Sequence, residues 1–362
     1  FAGGQSNMEM PLGGFWQCPV TDANEIIARA DAKSGKLHYV KIPHAAAYTP
    51  QDRTAGSWTP CTTATAAKFT AAGYFFAEML NDVLGVPVGI IDCSWGGSRV
   101  ESWMSREVLS GYSDIDLTEE GISRVAQHLR PMVMYNAMLR PVAGYTVRGF
   151  LWYQGESNVG RYMDYAARLA DMVSLWRGLW GRDDLPFYYV EIAPFEYGNG
   201  KSPYLREAQC RAQELIPNSG MICTNDLVEH YEFCNVHPKN KRDVGYRLAF
   251  MALNKTYGMK EIACQSPQYE SMEIRDGKAR IRFKYMDQGF NRMADIRGFE
   301  ICGADKVFYP ADAVVENQFA LVVSSEKVPE PVAVRYCFRD FQPGNLADTR
   351  ELPVVPFRTD DF

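Results

Sequence analysis

The sequence predicts an α/β fold on a parallel sheet, followed by a smaller all-β unit. Two observations carry that expectation. From Leu37 to about Gly258, short β-rich runs alternate with amphipathic stretches of helical period, the pattern of strands joined by crossover helices in a sheet covered on both faces. Beyond Gly258 the runs alternate apolar and polar residues and are separated by Gly, Pro, Asp and Asn, the pattern of strands joined by turns.

Taken in order, strands are expected at Leu37–Ile42, Val88–Cys93, Arg148–Tyr153, Phe187–Ile192 and Met221–Thr224. Helices are expected at Ala71–Leu84, Arg130–Leu139, Tyr162–Leu179, Tyr204–Leu215 and Lys239–Tyr257. In the third of these, Tyr162, Tyr165, Leu169, Met172, Val173 and Trp176 recur at steps of three and four and make one apolar face. The all-β unit reads as a small sandwich with strands at Ala279–Tyr285, Gly298–Cys302, Phe319–Ser324 and Ala333–Phe338. The boundary falls near Ala263 to Pro267, dividing the chain into residues 1–263 and 264–362. The closing stretch PVVPFRTDDF holds too many prolines for a central strand and is expected to lie as a strap across the first unit.

Composition narrows the function. A chain of 362 residues, 46% hydrophobic and 23% charged, buries a sizeable core, and its apolar runs are too short to span a membrane. The net charge of −6, with Lys and Arg scattered, opposes a phosphate backbone, so nucleic acid is excluded as a partner. Nine cysteines lie far apart, with no CxxC and no Cys/His set at zinc spacing, so no metal site is expected.

In parallel α/β sheets, ligands bind beyond the carboxyl ends of the strands. Four segments qualify: Gly3 to Asn7, DCSWGGS (Asp92 to Ser98), WYQGESN (Trp152 to Asn158) and NVHPKNK (Asn235 to Lys241). A serine nucleophile needs a base for its proton and donors aimed at the oxyanion that develops during attack. Ser6 offers the nucleophile and an N–H, Gly97 a second N–H clear of any side chain, Asn158 a carboxamide, and His237 the base. Among the other histidines, His38 falls in a strand pattern, His44 in a polar loop and His128 near a helix end, while His230 sits in an acidic, aromatic loop. His237 precedes Pro238, which suits the first turn of a helix. Ser98 begins a G-x-S-x-G pattern, but Val100 occupies the final glycine position.

The blocks GQSNME, SWGGS, WYQGESN and HPKNKRDVGYRLA, in that order, resemble the SGNH/GDSL hydrolase superfamily, in its sialate O-acetylesterase-like branch, which includes acetylxylan esterases. The likeness continues through GFEICGADKVFYPADAVV, AVRYCF and LPVVPFRTD to cover essentially the whole chain. It implies a flavodoxin-like three-layer α/β/α sandwich, a serine esterase without metal or cofactor, and an O-acetylated sugar as substrate. By position, Ser6 matches the nucleophile, Ser6, Gly97 and Asn158 the oxyanion hole, and His237 the base. Gln154 and Glu156 match the polar pair that orients substrate or hole. Family members commonly carry a β-sandwich upstream of the serine block, so residues before Phe1 are expected in the functional protein, with a secreted or periplasmic location.

One departure stands out. Where the superfamily places an aspartate three residues before the histidine, this chain has Cys234. Asp226, at a strand end, is the preferred substitute over Glu229 and Glu232, with a Ser–His dyad as the alternative. Trp95, Trp103, Trp152 and Tyr153 are candidates for a sugar-stacking wall, although Trp152 and Tyr153 suit core packing better. Arg99 or Arg161 suits a sialate carboxylate. The expected activity is removal of O-acetyl groups from sialic acid or related glycans, with acetylxylan as the alternative substrate and a non-catalytic carbohydrate-binding protein as the rival class.

Overall fold

The computed structural model describes residues 1–362. Strands β1 (Ala2–Gly4), β2 (Leu37–Lys41), β3 (Thr59–Pro60), β4 (Val88–Ser94), β5 (Phe150–Tyr153), β6 (Phe187–Val190) and β7 (Ser219–Ile222) form one sheet in the order β3-β2-β4-β1-β5-β6-β7. All neighbours pair in parallel except the edge strand β3. The shortest parallel strand lies at the centre: Gly4 pairs with Ser94 of β4 on one side and with Tyr153 of β5 on the other.

Side-chain alternation along the strands builds the layers. Phe150 and Trp152 of β5, with Phe187 and Tyr189 of β6, face one core; Leu151, Tyr153, Tyr188 and Val190 face the other. Helices α3 (Tyr165–Trp180) and α4 (Ser202–Leu215) close the first face, and α2 (Ala71–Leu84) and α5 (Arg242–Lys255) the second, giving the α/β/α sandwich. The remaining labelled helix, α1 (Ser6–Glu9), is a single turn leaving β1. Gly4 is required at that exit: its φ is +143°, and a Cβ there would stand 2.2 Å from the Tyr153 carbonyl oxygen.

Strands β8 (Gln268–Arg275), β9 (Lys278–Lys284), β10 (Phe299–Cys302), β11 (Tyr309–Pro310), β12 (Asp312–Glu316), β13 (Ala320–Ser324), β14 (Ala333–Tyr336) and β15 (Phe357–Arg358) form two antiparallel sheets. They run in the orders β11-β10-β14-β15 and β12-β13-β9-β8 and enclose a common core that includes Ile281, Phe299, Leu321, Val334 and Phe357. Phe357 and Arg358 pair at the edge of β14, while Val355 reaches the first α/β core and Arg358 bonds Glu207 of α4.

Two of the expected helices differ from the sequence expectation. The helix expected from Tyr162 starts at Tyr165, because residues 156–164 run as 3-10 turns broken at Arg161 (φ −131°, ψ 34°). The helix expected at Arg130–Leu139 shrinks to a short turn with a π segment at Tyr135–Leu139, entered through Met132 in the left-handed region.

Candidate active site

The turn out of β1 places Ser6 half-buried at the first position of α1, so its N–H has no acceptor in the helical ladder. Beside it runs the Gly96-Gly97 turn that follows β4. A Cβ on Gly96 would stand 3.4 Å from Ser6 Cβ, so the turn lies in van der Waals reach of the serine. The Gly96 N–H is taken by Glu9 Oε2 at 2.6 Å, whereas the Gly97 N–H has no protein acceptor. Gly97 has φ +75°, and a Cβ there would reach 2.8 Å from His128 Cδ2, so His128 flanks the turn.

Asn7 ties three segments together at this place. Its amide donates to Glu156 Oε1 at 2.5 Å and to the Val236 carbonyl at 2.9 Å, and its oxygen accepts from Lys241 Nζ at 2.7 Å. The residue after Ser6 is thereby bonded to the residue before His237. His237 Nε2 is buried and unpartnered, and Nδ1 lies 3.9 Å from Cys18 Sγ. The Phe15 ring meets the imidazole edge-on at 5.3 Å. Burial, with Lys241 nearby, lowers the His237 pKa to about 4, and burial lowers Lys241 itself to about 7. Burial pushes Glu156 above the usual carboxylate range.

A second polar cluster lies on the Glu9 side of the serine. Glu9 Oε1 pairs with His44 Nε2 at 2.6 Å and Lys41 at 3.2 Å, and Lys41 reaches the buried Asp92 at 3.0 Å. Burial alone would raise Glu9, but the His44 hydrogen bond and the Lys41 charge hold it low. His44 stacks on Trp95 with parallel rings 4.4 Å apart.

Several expected roles are corrected. Asp226 is held by Arg247 through two hydrogen bonds of 2.7 and 2.6 Å, so it does not orient His237. Glu232 spends its carboxylate on the N–H groups of Glu229 and Lys239, and Glu229 lies near Lys239 Nζ, at 3.8 Å. Asn158 is fully enclosed: its amide donates to Glu101 and its oxygen accepts from the Val100 N–H and Gln154, so it holds the loop after Gly97 from behind. Gln154 is equally enclosed and binds Gln5, Ser98 and Asn158, so it does not face a substrate, whereas Glu156 gives Oε1 to Asn7 and keeps Oε2 without a partner. Trp103, Trp152 and Tyr153 are core residues, leaving Trp95 as the half-buried aromatic at the site. Ser98 is buried and accepts from the Trp103 indole.

Arg99 also escapes this internal pairing. It makes no ion pair, its Nε is buried without a partner, and it lines a cavity of about 170 Å³ with Glu101, Asp114, Asp116 and Arg161 two residues beyond Gly97. A larger apolar cavity of about 340 Å³, lined by Phe1, Trp58, Val88, Phe150 and Tyr257, opens at the opposite end of the strands and is separate from Ser6.

Sequence reasoning missed Cys18, Glu101 and the Glu9–His44 pair. Glu9 alone carried a local signal, since it follows Ser6 by three residues on one helical turn.

Residues 2–254 match the family described as carbohydrate esterase, sialic acid-specific acetylesterase. The mouse sialate O-acetylesterase is 27% identical over 316 residues, covering 74% of this chain and 58% of that protein. The human sialate O-acetylesterase is 28% identical over 254 residues, covering 65% and 49%. This chain thus spans about half the length of those relatives. A carbohydrate acetylesterase from Xanthomonas citri superposes with a TM-score of 0.88 at 34% identity, covering 100% of this chain and 80% of that one. The chain belongs to the carbohydrate esterase family of sialic acid-specific acetylesterases.

Proposed function

We propose that this protein is a carbohydrate esterase that removes O-acetyl groups from sialic acid or related glycans, with Ser6 as nucleophile and His237 as base. The observation that carries this reading is the pair of unused backbone donors, Ser6 N–H and Gly97 N–H, beside a serine tied through Asn7 to the histidine segment. His237 is neutral at pH 7 with an unoccupied Nε2, as a base must be.

In the first step the Ser6 hydroxyl proton passes to His237 Nε2 as Oγ bonds to the acetyl carbonyl carbon, and the two N–H groups receive the oxyanion. His237 then returns the proton to the sugar oxygen as its bond to the acetyl carbon breaks, leaving acetyl-Ser6. Water, deprotonated by His237, attacks this ester; acetate departs and the proton returns to Ser6 Oγ. A serine–histidine contact that tightens only as substrate binds is ordinary behaviour for such pairs. Asn158 contributes by fixing the loop that carries Gly97.

Trp95 lies in the turn beside Ser6, and Arg99, two residues beyond Gly97, makes no ion pair in the cavity it lines; a free guanidinium favours an acidic sugar such as sialic acid over neutral xylan. A glycan substrate favours a secreted or periplasmic setting, and no helix is long and apolar enough to cross a membrane. The test is acetate release from O-acetylated sialic acid and from acetylated xylo-oligosaccharides, by the parent and by Ser6→Ala. The parent is expected to prefer the sialic acid ester, and Ser6→Ala is expected to lose at least ~10³ in kcat. Activity retained by pure Ser6→Ala removes the assignment, and preference for the xylo-oligosaccharide overturns the substrate.

A further inference from the structure

We propose that Cys18 is the positioning residue of His237, standing where a catalytic triad places a carboxylate. This rests on the reading of His237 as the base. The three acids near the histidine segment are spent elsewhere, Asp226 on Arg247, Glu232 on two backbone N–H groups and Glu229 beside Lys239. The atom that faces Nδ1 is the Cys18 sulfur, at 3.9 Å.

Its hydrogen-bond direction follows from its second neighbour. Cys18 Sγ also lies 3.4 Å from Asn235 Oδ1, an oxygen that accepts the His237 N–H at 3.0 Å. A carboxamide oxygen only accepts, so the thiol proton points to Asn235 and a sulfur lone pair is left facing the ring. Nδ1 then carries the hydrogen and donates it to sulfur. Nε2 keeps its lone pair, which is the tautomer a base for Ser6 requires.

The surrounding loop holds that sulfur in place. Phe15 and Cys18 exchange two backbone hydrogen bonds of 3.0 Å, and Gly14, at φ +81°, leaves the Cys18 carbonyl room that a Cβ would occupy at 2.6 Å. The same four-residue turn sets the Phe15 ring against the imidazole, so it grips His237 from two sides. It leaves the serine block by only a dozen residues, which puts nucleophile and orienter on one stretch of chain.

A thiol is a neutral acceptor, so it selects the tautomer without stabilising the imidazolium as an anion would. The charged groups around the ring are the Lys241 ammonium and, beyond it, Glu156 and Glu232. Replacing the thiol by a carboxylate therefore has a separate signature from removing it.

The experiment compares Cys18→Ala, Cys18→Ser and Cys18→Asp with the parent in acetate-release kinetics from pH 3.5 to 8. In parallel, ¹⁵N NMR of the His237 ring is recorded in Ser6→Ala protein with and without Cys18→Ala. Cys18→Ala is expected to lower kcat roughly tenfold to a hundredfold with KM little changed, less than the ~10⁴ lost when a carboxylate orienter is disabled. Cys18→Ser is expected to recover most of that loss. Cys18→Asp is expected to move the acid limb of kcat/KM to higher pH by a unit or more. The ring is expected to be the Nδ1–H form with Cys18 and a mixture without it. An unchanged kcat, pH profile and tautomer in Cys18→Ala overturn the proposal. If Cys18→Ala does not fold, failure of both Cys18→Ser to retain activity and Cys18→Asp to shift the limb does the same. Full activity in His237→Ala would instead remove the base assignment itself, an outcome these variants distinguish.

Discussion

His237 meets Phe15, Cys18 and Lys241 with no carboxylate bonded to its ring, and its pKa of about 4 follows from burial and the Lys241 charge. The acid limb of kcat/KM is therefore expected near pH 4. At pH 5 the enzyme should keep most of its kcat/KM, whereas a histidine with the ordinary value near 6.5 would have lost roughly 97%. A limb centred at pH 6 to 7 would contradict the environment described. The sign for stability runs the same way. The unfolded chain takes up a proton at His237 near pH 6.5 and the folded chain only near 4, so this residue costs stability as the pH falls between those values. The segments of Ser6 and His237, which the fold brings together through Asn7, were legible because each is a local block with special backbone needs, Gly4 before the serine and Pro238 after the histidine. Cys18 was not, since it reaches His237 across 219 positions and a single cysteine has no spacing to read.

The element that aims Gly97 is the loop from Gly97 to Glu101, and it is locked by a buried ionic cluster. Glu101 receives Asn158, Arg161 and Arg168, and Arg168 also binds Asp114 at 2.6 Å. The Glu101 and Arg168 side chains are only 4% and 1% exposed, so neither has water to replace a lost partner. Glu101→Ala is expected to destabilise the fold by ~3 kcal/mol, the lower end for a broken buried pair because Asp114 stays on Arg168. Urea unfolding measures this, and a change below ~0.5 kcal/mol would show that the cluster does not anchor the loop. Elements with a one-sided apolar period were readable: Ala71–Leu84 begins and ends as its sequence implies, capped by Thr70 and closed by Gly85 in the left-handed region. Strand β8 was not, since Gln268–Arg275 is mostly exposed along its length and shows no buried alternation. The 3-10 run before α3 was hidden because Tyr162 keeps the helical spacing while stacking on Tyr204 from outside the helix.

Across the whole molecule, the β-sandwich and the α/β unit are joined by Asp340. Its carboxylate accepts the N–H groups of Asn199, Gly200 and Ser202 and the Ser202 hydroxyl, all at the start of α4. Arg206 on the same helix donates to the carbonyls of Cys337 and Arg339. Burial would raise Asp340, but the Ser202 and backbone donors outweigh it and hold the carboxyl low. Its contribution is thus present above the ordinary carboxyl range and is lost as the pH falls through the lower folded value. Asp340→Asn is expected to cost about 1–3 kcal/mol at pH 7, measured by urea unfolding, with the gap closing towards pH 2. An equal gap at both pH values would assign the effect to packing instead of charge.

Asn7 has a consequence for how the protein reaches this state. Its three bonds join it to residues 149, 229 and 234 positions away. Contacts of such separation form only after long loops have closed, which places them among the slow events of folding. No fragment ending before Lys241 contains all three partners, so in a nascent chain the serine emerges long before the setting around it can form. The proposed esterase centre is in this sense a late product of folding, and its appearance reports that the full parallel sheet has closed.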